Sequence, residues 1–167
     1  MNYSVVALRL IHVFSGVFWV GSALFIAFFI TPVAEATADT GQKFMMHLIT
    51  KSRFTMVMTA SAFLTVLAGG TLYWIDSGGF ASGWTGSATG WGFGVGGIFG
   101  VVGLIFGSMV GRYSSMLGKI GSQIQGKPTP AQTSQIQTIQ KQLKIVSAID
   151  TIALIVALVC MATARYW

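Results

Sequence analysis

Residues 91–110 read WGFGVGGIFGVVGLIFGSMV, twenty positions without one ionisable side chain. About 20 apolar residues at a rise of 1.5 Å cover the roughly 30 Å of hydrocarbon in a bilayer. Backbone polar groups in lipid are satisfied only within a helix or a closed barrel. The stretch therefore reads as a membrane-spanning helix, and residues 4–30, 54–75 and 145–164 read the same way. The first span is expected to end at Thr31-Pro32, because a proline pushes the residue before it out of the helical region. Four spans with short or moderate connections make a single all-α domain over residues 1–167, an integral membrane four-helix bundle.

The whole composition agrees with that reading. Apolar residues make up 53% of the chain and charged residues 8%, with a mean hydropathy of +0.72, whereas soluble domains carry about 25% charge. A soluble globule is excluded on that ground, and disorder is excluded by the wealth of aliphatic and aromatic side chains. The net charge of +6 describes topology rather than affinity for nucleic acid. Lys43, Lys51 and Arg53 fall between spans one and two, and Arg112, Lys119, Lys127, Lys141 and Lys144 between spans three and four. No cation falls between spans two and three. The positive-inside rule then places both cation-bearing segments in the cytoplasm and both termini outside. Trp74, Trp84, Trp91 and Trp167 come to the outer boundary as interfacial anchors. The connection over residues 76–90, rich in Gly and Ser, is expected to be mobile.

A cleaved signal peptide is the competing reading of the first span. No Lys or Arg precedes Arg9, and the apolar stretch after it runs about 21 residues, beyond the usual 7–15 of a signal sequence. A retained span is expected. Cys160 is the single cysteine, so no intramolecular disulfide holds the fold.

The inner segments carry helical signals of their own. Phe44, Met45, Leu48 and Ile49 within residues 41–50 suit an interfacial helix or an extension of span two. Thr129-Pro130 reads as a cap followed by proline at the first helical position. Ile136, Ile139, Leu143 and Val146 follow at helical spacing. Span four is therefore expected to begin near Pro130, and span three to run past Arg112 and pair with it. The result is a cytoplasmic helical hairpin that turns at residues 126–128.

Polar groups within spans raise functional questions because they are costly there. Arg9, His12, Gly16, Trp19 and Ala23 fall within about 80° on one helix face, which is expected to face the bundle. His12 sits about 13 Å inside the outer start of span one. Its imidazole suits a haem or metal ligand or a proton relay, or a hydrogen bond to a neighbouring helix. His47, the other histidine, lies beyond the far end of that span, about 30 Å away. A bis-histidine b-type haem would thus need His12 from a second copy; otherwise a different second ligand or five-coordinate iron is required. Cys160 and Met161 lie at the outer depth of span four, where soft sulfur suits copper or an axial haem site. Adjacent residues diverge by about 100°, which favours packed or lipid-facing sulfur. Asp150 lies about one turn inside the cytoplasmic end of span four; it suits proton transfer or a buried charge pair, and the pair is expected, with Arg112, Lys51, Arg53 and Lys144 as candidate partners. Arg9 and Arg165 suit a propionate or lipid phosphate, or snorkel to headgroups.

Span three holds Gly92, Gly96, Gly100, Gly103, Gly107 and Gly111 at spacings of four and three. These glycines are expected to form one strip for close helix packing, or a flat surface for a macrocycle. P-loop, HExxH, GxSxG and CxxC motifs are absent, and no lysine lies mid-span. Hydrolase, nucleotide-dependent and retinal Schiff-base readings therefore lack a basis.

The segment LRLIHVFSGVFWVGSALF at residues 8–25 resembles the first helix of bacterial membrane proteins related to copper-resistance protein D. It is also similar to the haem-b protoporphyrinogen oxidase family, with a histidine about two turns before a Trp-x-Gly-like element. The ending Met161-Ala162-Thr163-Ala164-Arg165-Tyr166 is similar to the MAxARY ending of a group in the same broad set. The oxidase pattern's Pro-Arg pair with a following histidine after span one is missing here. The resemblance implies a bacterial inner-membrane protein with a haem or copper role at His12. The first expectation is then b-type haem or tetrapyrrole binding with a redox or electron-transfer role, with His12, Trp19, Gly16, Arg9 and Met161 around the cofactor. Copper handling through His12 and Cys160 or Met161 is the second, and an accessory subunit of a larger membrane complex the third. Expected partners are the bilayer and a second copy or complex, with no nucleic acid.

Overall fold

The computed structural model describes residues 2–80, 83–124 and 126–167, and among them there is no strand. Helix α1 (Tyr3–Phe25) starts at Asn2, whose side-chain oxygen accepts from Ser4 N–H. It does not stop at Thr31-Pro32 as expected. Ile26–Ile30 form a π-helical turn, in which Thr31 N–H donates to the Ile26 carbonyl five residues back, and α2 (Thr31–Ala36) continues the helix. A mid-helix proline lacks an N–H and crowds the carbonyl four residues earlier. The wider π turn supplies the local readjustment that lets Pro32 sit in the first turn of α2.

The chain reverses at Ala38, held at φ 45°, into α3 (Ala38–Thr50). Gly41 makes this reversal tight, since a methyl group there would run into the Ala34 carbonyl. The bend at residues 51–53 separates α3 from α4 (Phe54–Asp76). The segment before span two is thus a short helix of its own.

Helices α5 (Ala88–Gln123) and α6 (Pro130–Thr163) have 36 and 34 residues, about 50 Å each at 1.5 Å per residue. Both outrun a bilayer and pair along the excess as the expected hairpin. Helix α6 begins where the sequence says it does. Thr129 Oγ1 accepts from Gln132 N–H at 3.2 Å and Gln132 Oε1 accepts from Thr129 N–H at 2.9 Å, a reciprocal capping box. Thr129→Ala removes one of these bonds and is expected to destabilise the first turn by about 1 kcal/mol. Amide hydrogen exchange checks this: protection over residues 131–134 should fall several-fold, with the rest of α6 unchanged.

Four helices are long and apolar enough to cross a membrane, and the chain is a multi-pass membrane protein. Helix α1 packs chiefly on α4 and α5 on α6, with α4 against α5 joining the two pairs. Trp19, Ala62 and Leu154 meet where the pairs join, with Val20, Ala23 and Leu104 among the side chains packed around them. Phe14, Val17, Phe29, Leu67 and Ile98 are exposed, as lipid-facing residues are.

The connection after α4 is more built than its Gly and Ser content implies. Phe80 packs on Tyr73 and Trp74, and Trp84 sits edge-on to Tyr73 with ring centroids 5.3 Å apart. The Tyr73 hydroxyl donates to the Gly90 carbonyl at 3.2 Å, and Ser87 Oγ caps α5 by accepting from Gly90 N–H. Phe80 and Trp84 thus pack back onto the end of α4. Ala81 and Ser82 lie outside the described residues.

Candidate functional site

His12 lies in the α1–α4 seam. Its Nδ1 is 2.8 Å from the carbonyl oxygen of Thr65. A carbonyl only accepts, so Nδ1 carries a proton, and in the neutral ring the lone pair is on Nε2. The ring fits because the facing residue is Gly69. A methyl group there would lie 2.7 Å from Cε1 and 2.8 Å from Nδ1. Nε2 has no hydrogen-bond partner among the described residues, and it is not enclosed by protein. The imidazole is half-buried, anchored by one nitrogen and open at the other.

The neighbouring turns hold the same seam. Gly16 lets α1 approach Thr65, whose Cγ2 would touch a methyl group there at 3.4 Å. Thr65 Oγ1 lies 2.9 Å from Ser15 Oγ and donates to the Ser61 carbonyl at 2.7 Å. Trp19 is 4% exposed and belongs to the central apolar cluster, so it supports the seam from within. Arg9 pairs with Asp76 at the end of α4, Nη2 to Oδ2 3.9 Å. Both side chains are substantially exposed, and a surface pair of this kind contributes little stability.

Cys160 and Met161 belong to the other seam. Both contact the α5 backbone at Gly96, where a methyl group would lie 3.2 Å from Cys160 Cβ and 3.2 Å from Met161 Cε. His12 packs on Gly69 of α4 instead, so the imidazole and the sulfurs serve different helix pairs. Among the described residues no three His, Cys, Asp or Glu side chains converge as a metal cage.

The glycines of α5 do not form one strip. Gly92 faces Ala164 and Trp167, Gly96 faces Cys160 and Met161, Gly103 faces Leu154, and Gly107 faces Asp150. Gly100 and Gly111 face nothing within 4 Å. A spacing of four advances about 40° around a helix. Gly96, Gly103 and Gly107 stay within about 60° of Gly92, while Gly100 and Gly111 drift to about 80° and 100°, off the packed edge.

The expected pair of Asp150 with Arg112 is not formed. Asp150 is buried against Gly107, and Arg112 is exposed. Five residues separate Gly107 from Arg112, about 7.5 Å along the helix and 140° around it, which turns the guanidinium away. Lys51, Arg53 and Lys144 do not pair with Asp150 either; among the described residues the ion pair is Arg9–Asp76.

Thr65, Gly69 and Ser15 were not singled out by the sequence reading. The signal for Thr65 and Gly69 is present in span two, where Ser61, Thr65 and Gly69 recur every four residues as a ladder of small side chains; Ser15, in span one, has none of that kind. No family model, curated protein or solved structure matches the chain.

Proposed function

We propose that this membrane bundle binds a b-type haem or related tetrapyrrole through His12 Nε2 and serves in redox chemistry or electron transfer. The observation that carries the reading is the hydrogen bond from His12 Nδ1–H to the Thr65 carbonyl. Ligating histidines are typically fixed in this way, with the second nitrogen bonded to a carbonyl or carboxylate and the ligating one left free. Gly69 supplies the space for the ring and Thr65 its orientation. The bound group would supply the one-electron chemistry. One chain offers one such nitrogen at this depth, so a six-coordinate iron would take His12 of a second copy, and a five-coordinate iron needs none. Copper at the same nitrogen is the alternative occupant, with Met161 and Cys160 engaged elsewhere. The topology proposed with this reading has α3 and the α5–α6 hairpin in the cytoplasm of a bacterial cell and both termini outside, in accordance with the distribution of cations.

Titration of purified cofactor-free protein with haemin tests this reading. Wild type should develop a Soret band that saturates. His12→Ala should bind at least about 10–100-fold more weakly, the loss that outer-shell partners alone produce. Equal titrations for the two proteins would overturn it.

A second reading is favoured by one observation. Gly97, Gly100 and Gly111 leave an edge of α5 without any atom within 4 Å, and bare glycine edges suit close approach by another membrane helix. On this reading the chain is a subunit of a larger assembly. Gly100→Leu is then expected to release the partner in mild detergent while leaving the isolated chain folded, as size-exclusion chromatography with light scattering would show.

A further inference from the structure

Among the described residues, Asp150 Oδ1 is the one buried side-chain polar atom without a hydrogen-bond partner. Asp150 is 8% exposed and lies in the α5–α6 seam, six residues past Lys144 toward the membrane interior, about 9 Å along the helix. Glycines of α5 face it, and they offer no side-chain donor. A methyl group on Gly107 would lie 3.4 Å from Oδ1 and 3.9 Å from Oδ2, and one on Gly103 would lie 3.7 Å from Oδ1. One turn away Leu154 is fully buried among Trp19, Ala62 and apolar neighbours from α1, α4 and α5, none of which titrates. The charged groups of the surrounding elements stand off. Lys141 and Lys144 on α6, Arg112 on α5, Lys51 after α3, Arg53 before α4, and Arg9 on α1 all fail to reach within 4.0 Å of this carboxylate.

An ionised carboxylate without a partner is strongly disfavoured in such surroundings. Either a metal cation or a proton would relieve it. A hard cation takes several oxygen ligands, but Asp150 belongs to no cluster of three ligating side chains among the described residues. The α5 residues that face it, Gly103 and Gly107, carry no side-chain oxygen, and their backbone belongs to a continuous helix. A proton needs one oxygen lone pair and no further ligand.

We propose that Asp150 is a proton-binding site in the membrane domain, independent of His12. The carboxylate takes a proton from a hydronium ion that arrives from the Lys144 end of α6, releases water, and holds the proton as a neutral carboxylic acid against Gly107 and Gly103. One O–H bond of the hydronium ion breaks, one O–H bond forms on the carboxylate, and no electron moves.

Infrared spectroscopy of the protein in liposomes tests this. At about pH 7, where a solvated aspartate is ionised, the wild-type spectrum should show the carbonyl stretch of a protonated acid, shifted by deuterium exchange and lost in Asp150→Asn. The chain has four Asp and Glu side chains, so the difference spectrum is simple. An acid band of equal size in both proteins, or in neither, would overturn the proposal. So would a wild-type band that vanishes on adding sodium, potassium or magnesium chloride, which would make the site a cation site. A second measurement needs no variant. Dicyclohexylcarbodiimide, which modifies protonated carboxyls in apolar surroundings, should leave its adduct on Asp150 by mass spectrometry. Labelling confined to Glu35, Asp39 and Asp76 would contradict the assignment.

Discussion

Gly103→Leu is expected to part α5 from α6 and to lower the stability of the purified protein well below that of Gly100→Leu. A methyl group at this position already lies 2.6 Å from Leu154 Cδ2 and 3.2 Å from its Cγ, and Leu154 is fully buried with no room to retreat. Three further carbons make the overlap worse. Overpacking of a filled core costs about 1–3 kcal/mol and sometimes more, and a chain of this length loses about 2–4 °C of Tm per kcal/mol. Thermal unfolding in detergent should fall by several degrees or become non-cooperative. Gly100→Leu provides the contrast. Nothing lies within 4 Å of Gly100, and leucine is the better helix former, so its Tm in detergent should equal or exceed that of wild type.

If His12 holds a tetrapyrrole as proposed, Gly69→Ala is expected to weaken haemin binding strongly without removing any ligand atom. The added methyl would sit 2.7 Å from His12 Cε1, inside the ring's van der Waals surface. The imidazole must swing away and give up the Thr65 carbonyl. Losing an outer-shell partner of a ligating histidine weakens binding by about 10–100-fold. The hydrogen bond itself contributes only about 0.5–1.5 kcal/mol to the fold, so affinity for haemin should drop far more than stability. Gly70→Ala, one residue on and facing open space, should behave as wild type. Equal haemin affinities for Gly69→Ala and Gly70→Ala would mean that the seat of His12 does not matter.

These contrasts between neighbouring glycines show where sequence reasoning reached and where it ended. The four spans were legible because lipid demands length and apolarity, and both are written residue by residue. The start of α6 was legible too, because Thr129, Pro130 and Gln132 form a purely local signal that tertiary packing did not override. The course of α1 past Pro32 was not, because a local steric rule was relieved by a π turn five residues long. The glycine pattern gave the packed seam but not its edge. Gly100 and Gly111 keep the same spacing as their neighbours, and only the accumulated rotation along the helix separates them from Gly96 and Gly107. For Asp150 the chain offered several cations nearby in sequence, and helix phase turned Arg112 away. His12 stood out from the start, but its orientation depends on a backbone carbonyl of Thr65, 53 residues away. A backbone acceptor has no sequence signature of its own.

Whether His12 Nε2 holds a tetrapyrrole, as proposed, is tested directly by the absorption spectrum of the freshly purified protein. Oxidised and dithionite-reduced spectra in mild detergent should show a Soret band that shifts on reduction and is missing from His12→Ala prepared in parallel. A Soret band of the same intensity in wild type and His12→Ala, or a flat spectrum from wild type even after haemin is supplied during expression, would contradict it.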